Sequence, residues 1–393
     1  MFADRIQPFG TTVFSQISAL SRKVGAVNLG QGFPDFDGPA TVLQAAASAI
    51  GQARNQYAVT FGEPELRQAI AQHSQRFYGQ QVDAESEITV TSGATEAIFC
   101  AGLAFLNPGD EVVVFQPCYD SYAPAITFAG GVPVPVTLHA PHFRFDPDEL
   151  RRAITPRTRA LFINTPHNPT GTVFTHDELL LIAELCCQHD LLAVSDEVYE
   201  HILFGEAQHL RLATFPGMAQ RTLTISSGGK SFSVTGWKIG WAIGPQPLQA
   251  ALRRVHQFSV FSTATPLQYA IAHALRLPDS YFAELRSDYQ ARRDALAAML
   301  RQAGFSPIVP EGSYFILTDT SSFGRGDAIA FNQWLISEIG VAAIPISGFY
   351  QSGNHGDNLL RFCFCKQWAT IEEAGRRMEK IQEQGGRGGK VGG

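Results

Sequence analysis

The first residue that could do chemistry is a lysine in a glycine-marked turn. In SSGGKSFSVTGWKIGW, residues 226–241, Lys230 follows two glycines and the β-rich run TLTI, and a second cation, Lys238, comes eight positions later. Strand, glycine turn, Lys and Ser also end a phosphate-binding P-loop, but that motif needs a glycine at 224, where Thr224 stands. A nucleotide site is set aside on that count. An ordinary surface lysine in a turn remains the alternative until other residues join it.

The elements around Lys230 supply them. From about residue 85, short β-branched runs alternate with helical patterns: EITVTSG, ATEAIFCAGLAFL, EVVVFQP, RALFINTP, DELLLIAELCCQHD, LLAVSDEVY and RTLTISS. Such alternation predicts a mostly parallel sheet sandwiched by helices, because parallel neighbours need crossover connections. Ligands of such sheets sit at the carboxyl ends of the strands. Polar residues cluster there: Ser92, Asn164, Asn168, Asp196, Ser227 and Lys230. Past residue 280 the texture changes to one long amphipathic helix stopped by Gly304, the strands SYFILTD and LLRFCFC, and a helix ending near Gln384, which reads as a smaller α+β domain.

Bulk properties narrow the partner. The chain has 393 residues, 45% of them hydrophobic, enough for two or three domains at about 100–200 residues each. A net charge of −6 with 17% charged residues gives no basic field for nucleic acid or an anionic membrane, so a small molecule is the expected partner. Six cysteines show no CxxC pair and no zinc-like spacing, which fits reduced thiols in a cytoplasmic protein. The N-terminus lacks a signal pattern, and no apolar run reaches the ~18 residues of a membrane span. The tail, residues 385–393, is Gly-rich and expected to be disordered.

Four strand-end signals, TSGATEA, NTPHNPTG, SDEVYE and SSGGKSFSVTGWKIGW, together with NLGQGFPDF near the start and RFCFCK near the end, resemble the fold-type I aminotransferases that use pyridoxal 5′-phosphate. The likeness runs from Phe14 to about Lys380 with the motifs in order, and NQYAVTFGEPELR adds to a similarity with the methionine and kynurenine–glutamine branch. It implies a large cofactor-binding domain, 42–280, and a small domain built from 14–41 with 281–384. It also implies a homodimer with shared active sites and no metal.

By this resemblance Lys230 is the lysine that carries the cofactor and shuttles the substrate's Cα proton, for which its amine must be neutral; Lys238 nearby is expected to lower its pKa. Asp196 matches the carboxylate that keeps the ring nitrogen protonated, and Tyr199 and Asn168 match the groups bonding the cofactor's phenolic oxygen. Taken singly, a capping Asp, a core Tyr and a turn Asn are the plainer readings; their order around Lys230 reverses that. Gly93, Ala94 and Thr95, at a strand–helix junction, match the phosphate site with Ser227 and Lys238. Tyr119 matches the aromatic stacked on the ring, and Tyr57 a tyrosine reaching the partner's phosphate.

Arg361 resembles the bidentate partner of the substrate α-carboxylate, and its alternation with Leu360 and Phe362 sets it on the opposite strand face. Gly32 lies beside the substrate in this resemblance, and Phe14, Tyr57 and Phe261 line its pocket. Kynurenine-preferring relatives tend to carry Trp near Phe14 and His near Ser262; both departures lean toward methionine, with aromatic amino acids or glutamine accepted. The expected reaction is a ping-pong transfer of an amino group to a 2-oxo acid. A kynurenine aminotransferase or cysteine-S-conjugate β-lyase on the same scaffold is the alternative, and an aminotransferase-like regulatory domain would want a basic helix-turn-helix that does not precede residue 14.

Overall fold

The computed structural model describes residues 3–10 and 13–385, with side chains through residue 382 except those of residues 13 and 14. Phe14 as a pocket residue, and the tail beyond residue 385, lie outside the described side chains and residues.

Short runs of Val, Ile, Leu and Phe make the strands: β1 (Val27–Asn28), β2 (Ile88–Thr91), β3 (Glu111–Gln116), β4 (Val132–His139), β5 (Arg144–Phe145), β6 (Thr158–Asn164), β7 (Leu192–Asp196), β8 (Thr222–Ser227) and β9 (Gly240–Ile243). Those from β2 to β9 form one sheet in the order β2-β9-β8-β7-β6-β3-β4-β5. The central pairs β8·β7, β7·β6, β6·β3 and β3·β4 are parallel, whereas β9 runs antiparallel to both its neighbours and β5 is antiparallel to β4. Continuous apolar runs such as EVVVF suit this position, because helices cover both faces and neither side of the strand meets water.

Local chemistry sets the helix ends. The helix His176–Gln188 starts on a capping box in which the Thr175 hydroxyl accepts from the Glu178 amide while the Glu178 side chain accepts from the Thr175 amide. The helix Pro64–Tyr78 begins on proline and stops at Gly79, whose φ of +64° needs no Cβ.

A smaller antiparallel sheet follows, made of β10 (Ser306–Ile308), β11 (Phe315–Asp319), β13 (Ile344–Pro345) and β14 (Leu359–Cys363) in the order β10-β11-β14-β13. The N-terminal β1 pairs in parallel with β12 (Val341–Ala342), so the start of the chain docks against its C-terminal part. Tyr289, Leu296 and Leu300 of the long helix Asp279–Gln302 pack into the same core as Phe331, Phe362 and Ile371. Among the described residues no helix is long and apolar enough to cross a membrane.

Candidate active site

One sheet edge collects the polar strand ends. β7 ends at Asp196, which pairs with Asn164, the last residue of β6; Gly240, the first residue of β9, lies opposite both Ser227 and Thr91. A cavity of about 290 Å³ opens at this edge. Lys230, Asp196, Tyr199, Asn168, Arg361 and Gly32 line it, and so do Gly93, Ala94, Thr95, Ser227, Lys238 and Tyr119. Tyr57 and Phe261 do not; they meet each other edge to face at 5.3 Å on the surface, where Tyr57 is 84% exposed.

The expected turn around Lys230 is a single helical turn, Gly228–Ser231, following β8 directly. Its glycines supply room: a Cβ on Gly228 would lie 2.6 Å from Ile271 Cδ1, and one on Gly229 would lie 3.2 Å from Thr235 Cα. Lys230 Nζ sits 5.6 Å from the ring centroids of both Tyr199 and Tyr314. Burial lowers its pKa, opposed by Cys365, Cys363 and Asp196 and assisted by Arg361. The assisting cation is thus Arg361, where the sequence pointed to Lys238. A strand arginine 193 positions from Asn168 in sequence folds next to it, whereas Lys238 turns toward the helix Gly93–Phe105.

That helix start is shaped for an anion. Gly93 has φ +79°, and a Cβ there would lie 3.0 Å from Lys238 Nζ, so the ammonium passes over the first turn at contact distance. Lys238 is itself left-handed, φ 54°. A Cβ on Gly240 would fall 2.6 Å from Gly93 C and 2.7 Å from Ala94 N. The result is a tight cradle of helix-end amides, the Ser227 hydroxyl and one ammonium, a donor set suited to a phosphate dianion.

Asp196 lies deeper. Its carboxylate accepts from the Tyr122 hydroxyl at 2.8 Å and from the Val198 amide at 3.3 Å. Burial raises its pKa to about 6, against the lowering effect of those two bonds and of Lys230. Arg361 is buried rather than solvated; it donates to Asn168 Oδ1 at 2.7 Å and to the Gly30 carbonyl at 3.0 Å, and its guanidinium lies 3.9 Å from the Phe315 ring centroid. The Tyr314 hydroxyl donates to the Gly32 carbonyl at 2.7 Å, and a Cβ on Gly32 would meet the Phe315 ring at 2.8 Å.

Sequence reasoning missed several of these partners. Tyr122 stands three residues after Tyr119, as the first residue of the helix Tyr122–Phe128, but nothing local marks it as a donor to Asp196. The SDEVYE motif also carries a second set of acids pointing elsewhere. Glu197 and Glu200 bind the buried Arg211 at 3.0 and 2.9 Å, beside His73, His201 and His209. Burial lowers His73 to about 4 and His201 to about 3, so both imidazoles are neutral and share the 2.7 Å contact between their Nε2 atoms.

Comparison with known proteins follows the same lines. Residues 24–378 match the family "Aminotransferase class I and II". The chain belongs to the class I and II aminotransferases. It is 47% identical to a Mycobacterium tuberculosis protein described as "Probable N-succinyldiaminopimelate aminotransferase DapC", covering 98% of this chain and 99% of that one. It is 42% identical to the methionine aminotransferase of Escherichia coli over 96% and 97% of the two chains, and 40% identical to rat kynurenine–oxoglutarate transaminase 3 over 95% and 88%. The solved structure of the M. tuberculosis N-succinyldiaminopimelate aminotransferase superposes with a TM-score of 0.95 at 48% identity, over 97% of this chain and all of that one.

As a class I and II aminotransferase, the protein is an enzyme whose cofactor is pyridoxal 5′-phosphate. The residues present fit that group. The cradle left open by Gly93 and Gly240 suits its phosphate, a buried carboxylate lines the cavity from β7, and a lysine whose burial favours the neutral amine lines the same cavity.

Proposed function

We propose that this aminotransferase moves the amino group of a large neutral amino acid, with methionine favoured and aromatic amino acids or glutamine accepted, to a 2-oxo acid. The observation that carries the reading is the trio around one cavity: Lys230 with its pKa lowered by burial, the buried Asp196, and Arg361 walled in by Phe315. Among the described residues lining the cavity the basic side chains are Lys230, Lys238 and Arg361. With those three assigned, no basic side chain among the described lining residues is left to meet an acidic substrate side chain.

In this reading Gly93, Ala94, Thr95, Ser227 and Lys238 would hold the cofactor's phosphate, Tyr119 would pack on its ring, and Tyr199 with Asn168 would bond its phenolic oxygen. When bound, pyridoxal phosphate would supply an electron-withdrawing ring that makes the substrate's Cα proton acidic. Arg361 grips the α-carboxylate with its planar guanidinium and so fixes which Cα bond faces Lys230. Lys230 Nζ would take the Cα proton and pass it to the cofactor, and in the return half of the cycle would carry a proton back to Cα of the incoming oxo acid. Asp196, whose ionised form Tyr122 and the Val198 amide favour, would keep a proton on the cofactor's ring nitrogen.

We place the large domain at 42–280 and the small one at 14–41 with 281–384. We further take the working unit as a homodimer in the cytoplasm, in which Tyr57 reaches the partner's phosphate and Phe14 and Phe261 shape the substrate pocket. Exposed Tyr57, Phe258 and Phe261 give such a surface an apolar centre.

The test is a ranking of amino donors by kcat/KM with methionine, phenylalanine, glutamine, kynurenine and N-succinyldiaminopimelate. Methionine should lead. A preference of several orders of magnitude for the succinylated donor, the substrate named for the M. tuberculosis relative, would sink the neutral-donor reading. Pyruvate released from a cysteine S-conjugate faster than oxo acid forms would favour the β-lyase alternative.

A further inference from the structure

The helix Gln246–Ser259 carries His256 in its last turn, fully buried and outside the cavity. Its Nδ1 lies 2.5 Å from Glu96 Oε1, and its Nε2 lies 2.6 Å from the carbonyl oxygen of Thr60. A carbonyl only accepts, so Nε2 carries a hydrogen. A neutral ring would then turn a bare lone pair on Nδ1 toward a carboxylate oxygen. The short contact therefore holds one proton more than neutral His and ionised Glu provide, and because Glu96 raises the pKa of His256 that proton is assigned to the imidazole.

The surroundings favour that state. Burial pushes His256 down, but the hydrogen bond and charge of Glu96 and the Thr60 carbonyl outweigh it and lift the imidazole above its ordinary value, with Arg253 opposing. The C-terminal end of a helix also favours a cation. Facing the pair are Glu96 and Cys100 from the helix Gly93–Phe105, Arg253 and Ser259 from the helix of His256, and the Thr60 carbonyl from the loop before Pro64. The Cys100 thiol is pushed up to about 12 by burial and stays protonated.

The pair joins three segments that nothing local connects. Glu96 Oε2 accepts the backbone N–H of Ser92, the residue before Gly93. Ser92 Oγ donates to Thr263 Oγ1 at 3.0 Å, next to the stretch that holds Phe261. Thr60 belongs to the loop of Tyr57, which Thr265 also pins by donating to the Gln56 carbonyl at 2.6 Å. We propose that His256 is a positioning residue: acting through Glu96 and Thr60, it sets the Gly93–Thr95 turn and the Tyr57 loop in one geometry for the cofactor's phosphate. This rests on the reading of that turn as the phosphate site.

The experiment titrates cofactor-free protein with pyridoxal phosphate and, separately, with pyridoxal, which lacks the phosphate, and takes the ratio of the two affinities. His256→Gln keeps a donor for Thr60 but brings no charge to Glu96, and should lower the ratio about tenfold, the loss of one charge-assisted hydrogen bond. In the wild type the ratio should also fall as pH rises through the elevated His256 titration, a limb missing in the variant. A folded His256→Gln protein with the wild-type ratio and pH profile overturns the proposal. If that variant does not fold, Glu96→Gln and the wild-type pH limb decide it in the same way. Lys238→Ala separates the two ideas: a lowered ratio there with none at His256 removes only the positioning role, whereas an unchanged ratio at Lys238 removes the phosphate site itself.

Discussion

A buried amine and a buried carboxyl respond to burial in opposite directions, and both responses are testable. Burial disfavours the charged form of each, which frees the Lys230 lone pair for chemistry and makes the Asp196 charge costly. Lys230→Ala should abolish turnover, and reducing the wild-type holoenzyme with borohydride should place the cofactor's mass on the peptide holding residue 230. A label found on another lysine would refute the assignment. For Asp196 the sign is set by linkage. Its folded pKa of about 6 exceeds the ordinary 3.8, so the folded state binds more protons between those values and stability falls as pH rises from about 4 through 6. The loss amounts to about 3 kcal/mol in cofactor-free protein, and Asp196→Asn should lack it. Denaturant unfolding of both proteins from pH 4 to 8 checks this; parallel curves would mean that the carboxyl is not strained by burial.

At the scale of elements, the site depends on how closely β9 approaches the helix Gly93–Phe105. Gly240 is the contact point, and the atoms a methyl would strike are backbone atoms, which cannot rotate away as a side chain can. Gly240→Ala should therefore cost about 1–3 kcal/mol of stability and weaken pyridoxal phosphate binding together. Gly236, four residues earlier, has nothing within 4 Å of a built Cβ, and Gly236→Ala should stay within about 0.5 kcal/mol of wild type. Thermal unfolding and cofactor titration of the pair read out both claims, and equal effects would show that the close approach is not what matters.

For the whole molecule, the question is whether one chain completes a site. Tyr57 is exposed here and outside the cavity, yet its loop is tied through His256 and Glu96 to the turn that opens the phosphate cradle. Sedimentation should give a dimer. Mixing Lys230→Ala with Tyr57→Ala chains should restore activity, since a hybrid has one site with both native residues, and no recovery on mixing would argue against shared sites.

What the sequence by itself determined is what is written locally: the strand and helix periods, the glycine-marked turn, and polar residues at the ends of apolar runs. Strand ends of a parallel sheet share an edge by construction, so Asp196, Ser227, Lys230 and Asn168 group together from the order of strands alone, and the likeness of ordered motifs supplied the cofactor. Only the tertiary structure decided which groups tune them: Tyr122 on Asp196, Arg361 rather than Lys238 beside Lys230, and His256 on Glu96 across 160 positions. Those contacts depend on strand register, helix placement and the depth of burial. No periodicity in a chain records them, because the electrostatic worth of a pair is set by distance and surrounding dielectric, and both come into being only when the layers pack.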